Sequence, residues 1–172
     1  MSRKISIVLV VICLAAVATL SLAGPDTGVR GGDRDRVAVI SVKDFNLEKL
    51  EGKVVLMAFW AGRDCVVCPS FISWLHEMQG RYGDDGLVVV AVNVDRESAA
   101  AADLLNSIHP RSQVVLDPQR RLVGKYEVEG IPGTYLFDRN LNQAKMFRGF
   151  VPERTQDMEE AIQELIEKKY QD

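Results

Sequence analysis

The chain has 172 residues, of which 47% are hydrophobic and 26% are charged, and its formal net charge is −3. That length allows one domain with a buried core, and the balance of apolar and charged residues excludes a disordered or collagen-like chain. An isoelectric point near 5.5 gives no basic surface for nucleic acid, and three cysteines are too few for a fold held together by disulfides.

The N-terminus starts with two basic residues, Arg3 and Lys4, and continues with the uncharged, largely apolar residues 5–23. A secretory signal peptide has this pattern and ends in small residues, so cleavage after Ala23 is one interpretation. An uncleaved membrane anchor is the other, because about 20 apolar residues span a bilayer. Both interpretations place the working part of the chain outside the cytoplasm, with residues 5–23 as its only membrane contact.

A flexible linker is predicted for residues 24–36, which are rich in glycine and charge and have no periodicity. The folded domain is then residues 37–172. Within it, short apolar runs predict buried strands, and Asp and Asn residues at 138–142 suit a hairpin turn between the last two. The predicted strands are residues 53–60, 87–94, 113–116, 134–137 and 144–147.

The segments between these strands have helical features. Apolar residues recur every three or four positions in residues 66–82, residues 96–108 are rich in alanine, and Pro118 opens a segment to Tyr126. A last helix begins near Pro152 and carries an apolar face of Met158, Ile162, Leu165 and Ile166. Alternating strands and helices predict an α/β fold of three layers, α/β/α, with a mixed central sheet.

Two cysteines of the domain, Cys65 and Cys68, lie between a predicted buried strand and an amphipathic helix. A C-x-x-C in this setting is typical of a redox pair. A cysteine at a helix N-terminus faces unpaired N–H groups and the positive end of the dipole, which stabilise the reactive thiolate. The second cysteine, one turn later, is close enough to resolve a mixed disulfide.

Two other interpretations of the pair are weaker. A structural disulfide across so short a loop stabilises little. A zinc site needs about four ligands, and beyond the cysteines the domain offers the histidines His76 and His109. We therefore predict no metal, and no cofactor other than the redox-active Cys65–Cys68 disulfide.

These motifs resemble the thioredoxin superfamily, and most of all the exported, membrane-tethered thiol-disulfide oxidoreductases of the TlpA/ResA type in bacteria. The matching segments cover most of residues 37–172. They are Phe59-Trp60-Ala61, Cys65-x-x-Cys68, residues 89–95, residues 114–117, Gly130-Ile131-Pro132 and residues 134–138. The resemblance implies a thioredoxin-like fold with an extra βα unit between the C-x-x-C helix and the cis-proline loop.

The same resemblance assigns roles to residues. It implies that Cys65 is the nucleophile and Cys68 the resolving thiol, and that Pro132 is a cis-proline facing the sulfurs. Ile131 would offer its backbone to a substrate, and Trp60 would contribute to substrate binding. The implied partners are cysteine-containing client proteins and a membrane or periplasmic thiol-redox donor. The implied role is reduction in the periplasm, for example in cytochrome c maturation.

Several positions depart from the family pattern. Asp64 replaces a tryptophan, Val66-Val67 replaces a pair that commonly includes proline, and Gly133 replaces a threonine. Ala58 and Phe71 stand where relatives carry the carboxylate that accepts a proton from the resolving thiol. These departures leave the reduction potential of the pair and its client proteins undetermined, whereas thiol-disulfide exchange is still expected.

Two further functions stay open at this point. Cys68-Pro69 is similar to the reactive motif of peroxiredoxins, which predicts a thiol peroxidase using Cys68. The fold and this Cys-Pro step are also similar to Sco-type copper carriers, whose cysteines are spaced one residue wider. The pair Arg120 and Arg121 is interpreted as a solvated surface.

Overall fold

The computed structural model describes residues 37–168 except residue 110. The predicted leader, residues 1–23, lies outside the described residues, and so does the predicted linker, residues 24–36. Within the described part of the chain, no helix is long and apolar enough to cross a membrane.

Six strands form one sheet in the order β1-β4-β3-β2-β5-β6. They are β1 (Ala38–Ser41), β2 (Val54–Trp60), β3 (Leu87–Asn93), β4 (Gln113–Leu116), β5 (Gly133–Phe137) and β6 (Gln143–Arg148). Strands β1 to β4 run parallel, whereas β5 is antiparallel to both β2 and β6. The predicted mixed sheet is confirmed.

The helices cover both faces of the sheet. They are α1 (Cys68–Tyr82), α2 (Ala102–Leu105), α3 (Arg121–Lys125) and α4 (Gln156–Glu167), with 3₁₀ turns at Leu47–Leu50, Ser98–Ala101 and Pro152–Arg154. Helices α1 and α4 pack on one face, and α3 packs on the other. The three predicted layers are therefore present, and β4 with α3 forms the predicted βα unit before the cis-proline loop.

Strand β2 is the centre of the core, and all seven of its residues are buried. Leu56, Ala58 and Trp60 face the cluster that contains α1, while Val55, Met57 and Phe59 face the opposite cluster. Because both faces are covered, the strand needs apolar side chains at every position, which explains its continuous apolar sequence.

The predicted helix at residues 96–108 is wrong in extent. The structure has a 3₁₀ turn at Ser98–Ala101 and the four-residue helix α2. Alanine favours helix locally, but most of a helix's stability comes from packing an apolar face. Ala101 and Ile108 are the fully buried apolar residues that this segment offers, so it has little to anchor a longer helix.

The predicted helix at residues 118–126 starts later than expected, at Arg121. The carboxylate of Asp117 accepts backbone N–H bonds from Arg121 at 2.7 Å and from Leu122 at 2.8 Å. Asp117 therefore satisfies the free N–H groups at the start of α3, in place of the predicted opening by Pro118.

The side chain of Gln79 forms hydrogen bonds with the backbone of β3. It lies on α1 and is 2% exposed. Its Nε2 donates to the Leu87 carbonyl at 3.1 Å, and its Oε1 accepts from the Val89 N–H at 2.7 Å. Pairing with β4 begins only at Val90, so Gln79 satisfies the part of the β3 edge that β4 does not reach.

We predict that Gln79→Leu lowers the free energy of unfolding by roughly 2–4 kcal/mol, because two buried backbone groups lose their partners. Urea unfolding of the full oxidised chain in mild detergent measures this. Gln119→Leu is the control, since Gln119 is exposed, its side chain has no hydrogen bond among the described residues, and its replacement should change stability by less than about 0.5 kcal/mol. Equal effects of the two variants would contradict the assignment.

Candidate active site

The reactive pair lies where β2 gives way to α1. Cys65 and Cys68 form a disulfide with their Cα atoms 5.4 Å apart. Cys65 lies in the turn before the helix, and its carbonyl accepts the Cys68 N–H at 3.2 Å. Cys68 is the first residue of α1 and is 0% exposed, whereas Cys65 is only partly buried. Of the two sulfurs, a partner can therefore reach that of Cys65.

Cys68 belongs to a core cluster with a set of packed aromatic rings. The rings of Phe71 and Trp74 stack with centroids 6.3 Å apart, and Phe150 lies 5.0 Å from Phe71. Phe71 is one of the positions where relatives carry an acid, and here it is a fully buried part of this aromatic group. Cys68 thus lies in apolar surroundings.

Ala58, the other position of a missing acid, pairs across β2 and β5 with Thr134. Thr134 is 0% exposed, and its hydroxyl has no hydrogen-bond partner within the described residues. The indole N–H of Trp60, on the same strand face as Ala58, is likewise buried and unpaired there. The polar groups on this face are therefore neutral hydrogen-bonding groups rather than carboxylates.

The cis-proline loop lies beside the disulfide. The peptide bond between Ile131 and Pro132 is cis, and the Pro132 carbonyl accepts the Gly149 N–H at 2.9 Å. At Gly133, where the family often has threonine, a Cβ atom would lie 2.9 Å from the Gly130 carbonyl oxygen. The close approach of these two backbones explains why glycine occupies position 133.

Asp95 lies two residues after the end of β3 and forms hydrogen bonds with the turn that contains Cys65. Its Oδ2 accepts the Gly62 N–H at 2.6 Å and the Asn93 side-chain amide at 2.7 Å. Its Oδ1 accepts the Arg63 N–H at 3.4 Å. The next residue, Asp64, has a left-handed backbone with φ of 58°. One carboxylate thus fixes the unusual turn immediately before Cys65.

A cleft of about 420 Å³ opens beside Cys65. Its walls are the turn after β2, the loop after β3, Arg120 and Ile131. Val66, next to Cys65, is 96% exposed and adds apolar surface close to the disulfide. The cleft therefore presents one sulfur, one cis-peptide loop and several charged groups to a partner.

Three of the predicted site residues meet here, because Cys65 and Ile131 line the cleft and Cys68 closes the disulfide below it. Trp60 is 0% exposed and packs in the core with Cys68, so its contact with substrate stays a prediction. Asp95 was not predicted as a site residue from the sequence. Its position directly after a predicted parallel strand could have indicated it, because polar residues after such strands meet at the sheet edge where ligands bind.

Comparison with known proteins agrees with this site. Residues 35–143 match the family model described as AhpC/TSA family. The thiol-disulfide oxidoreductase ResA of Bacillus subtilis (strain 168) is 27% identical over 154 residues, which cover 87% of this chain and 86% of that protein. ResA of Bacillus anthracis is 25% identical over 124 residues, covering 72% of this chain and 69% of that protein.

Solved structures confirm the thioredoxin-like fold. A Chlorobium tepidum protein described as a thiol:disulfide interchange protein DsbE superposes with a TM-score of 0.66 and 32% identity, covering 70% of this chain and 84% of that one. A Neisseria meningitidis protein described as a thioredoxin has a TM-score of 0.64 at 17% identity, covering 74% and 84%, which supports the fold alone. The chain therefore belongs to the thioredoxin-like AhpC/TSA family and is a thiol-disulfide oxidoreductase of the ResA/DsbE type.

Proposed function

We propose that the protein reduces disulfides of client proteins outside the cytoplasm, using the Cys65–Cys68 pair as its only redox group. The unequal exposure of the two sulfurs carries this proposal. Cys65 opens onto the cleft beside Ile131, while Cys68 is fully buried directly behind it. That arrangement suits an attacking thiol that meets the client and a resolving thiol that meets only the mixed disulfide.

The exchange begins with the reduced protein. The Cys65 thiolate attacks one sulfur of the client disulfide, the client S–S bond breaks, and the first client sulfur leaves as a thiolate that takes up a proton. Cys68 then loses its proton and attacks the Cys65 sulfur, which breaks the mixed disulfide and releases the second client thiolate. Two electrons pass to the client, and the protein is left with the Cys65–Cys68 disulfide seen in the structure.

A further dithiol must then return two electrons to the protein. We propose a membrane or periplasmic thiol-redox donor, which reduces the Cys65–Cys68 disulfide by the same exchange in reverse. The apolar residues 5–23 support this location, although they lie outside the described part of the structure. The ResA relatives support the same chemistry by their names.

The peroxidase alternative requires peroxide to reach Cys68. Cys68 is 0% exposed in the structure, so with this packing peroxide would have to reach a thiol that core side chains cover once the disulfide is reduced. For the copper alternative, the described residues hold no group of three or more His, Cys, Asp or Glu side chains that could bind a metal ion. Peroxide turnover and Cu(I) titration of the purified chain test these two functions directly.

We predict that Cys65→Ser abolishes reduction of a peptide disulfide, since the thiolate that attacks is lost. Cys68→Ser should still attack but accumulate the mixed disulfide, because nothing resolves it. Cys13→Ser, which changes the third cysteine of the chain, is the matched control and should react like the unaltered protein. Stopped-flow kinetics and mass spectrometry of the adduct measure these outcomes.

Two results would contradict the proposed roles. One is full activity of Cys65→Ser. The other is an adduct that maps to Cys68 in the unaltered protein, together with rapid peroxide consumption that depends on Cys68 and not on Cys65. The second result would favour the peroxidase.

We predict that Asp95→Ala slows attack on the client disulfide about tenfold to a hundredfold, because the turn before Cys65 loses its anchor and the sulfur its fixed position. Asp64→Asn is the control. It removes a negative charge from the same cleft but leaves the Asp95 hydrogen bonds intact. Rates are measured at temperatures well below unfolding, and an equal slowing by both variants would show that charge, not the fixed turn, is responsible.

We predict that the domain faces the outside of the cytoplasmic membrane in bacterial cells. Protease added to intact spheroplasts should digest residues 37–172, while a cytoplasmic marker protein survives. Digestion only after the spheroplasts are lysed would place the domain in the cytoplasm and exclude the proposed location.

A further inference from the structure

The charged groups around Cys65 come from three loops at the carboxyl ends of parallel strands. Arg63 and Asp64 follow β2, residues 95–97 follow β3, and Arg120 follows β4. The cleft beside Cys65 is thus lined by charged groups of both signs. What the cleft can bind depends on which of these groups already have a partner within the protein.

Two of the three acids that line the cleft already have partners within the protein. Asp95 accepts two backbone N–H bonds and a side-chain amide. Glu97 lies 3.9 Å from the Arg63 guanidinium. Within the described residues, neither Arg96 nor Arg120 has a carboxylate oxygen within 4.0 Å. Both guanidinium groups are therefore available to an incoming partner.

The backbone explains why Arg120 and its neighbour Arg121 differ. Arg120 has a left-handed conformation with φ of 54°, and its N–H donates to the Asp117 carbonyl at 3.0 Å. Arg121 begins α3, with its N–H bonded to the Asp117 carboxylate. Both side chains are exposed, as predicted for a solvated pair, but Arg120 lines the cleft and Arg121 does not.

We propose that this cleft selects client disulfides with an acidic residue beside the cysteine, and that Arg96 and Arg120 bind its carboxylate. The proposal rests on the proposed function and specifies its substrate class. A guanidinium group matches a carboxylate with two parallel N–H donors, and such charged hydrogen bonds are stronger than neutral ones. The lining of the cleft has three arginines and three acids and therefore no net charge. The selection rests on available hydrogen-bonding groups, because among the described residues two arginines have no carboxylate partner and Asp64 is the one acid of the lining without a partner.

The test uses three peptide disulfides that differ only beside the cysteine, with Glu, Gln or Lys at that position. The full chain in mild detergent, reduced beforehand, should react with the Glu peptide about tenfold faster than with the Gln peptide, as one charge-assisted hydrogen bond implies. The Lys peptide should be the slowest of the three. The preference should shrink as salt is raised, because the pairing is electrostatic.

The double variant Arg96→Gln and Arg120→Gln should bring the Glu-to-Gln rate ratio close to one. The loss should fall mainly on the Glu peptide, so the ratio of the two rates, rather than either rate alone, is the readout. Arg121→Gln is the matched control, since it removes the same charge one residue away, outside the cleft. It should keep the full preference for the Glu peptide.

Each other result overturns the proposal. Equal rates with all three peptides, in a chain that still reduces them through Cys65, reject acidic selection and leave the proposed function standing. Equal slowing of the Glu and Gln peptides by the double variant would mean that the arginines act on the Cys65 thiolate instead. Glutathione disulfide is the last substrate in the test. If it were reduced faster than the Glu peptide, the arginines would bind the carboxylate of a small thiol compound rather than that of a client protein. Absence of any Cys65-dependent reaction would instead reject the proposed function.

Discussion

The antiparallel pairing of β2 with β5 is the constraint on which the site depends. The register sets Phe59 opposite Gly133, so the end of β2 and the start of β5 meet at the same sheet edge. Cys65 follows the first and Pro132 precedes the second, and the pairing therefore brings Cys65 and the cis-proline loop together. Glycine at position 133 lets this loop pass close to the start of β5, since a Cβ atom there would lie 2.9 Å from the Gly130 carbonyl oxygen.

Cys68, the proposed resolving thiol, lies in a core cluster that contains no carboxylate among the described residues. Asp117 is the buried carboxylate among the described residues, and its oxygens bond the backbone of α3. Around Cys68 the core offers aromatic rings, together with the unpaired hydroxyl of Thr134 and the indole N–H of Trp60. Apolar surroundings disfavour a buried thiolate, so the second step of exchange depends on how Cys68 loses its proton in this setting.

Sequence patterns predicted the parts of the fold that burial controls. The apolar runs identified β2 to β5, and the apolar face of α4 is buried at Met158, Ile162, Leu165 and Ile166. The edge strand β6 is mostly exposed, and the turn residues at 138–142 located it. β1 was not predicted, because it is a short strand at the sheet edge with mostly exposed side chains. The site shows the same division. Cys65 and Cys68 are local in sequence, whereas Asp95 acts on Gly62 across 33 positions, a contact that periodicity cannot reveal.

The reduction potential of the Cys65–Cys68 pair decides whether the protein reduces or oxidises its clients. To reduce a client disulfide, the pair must have a reduction potential below that of the client. Equilibration of the full chain with glutathione and dithiothreitol buffers, followed by alkylation and mass analysis, gives the value. For a reductase we expect a potential of about −270 mV, as in thioredoxin. A value of about −120 mV, as in a strong oxidant, would contradict the proposed direction, because the pair would then take electrons from client thiols.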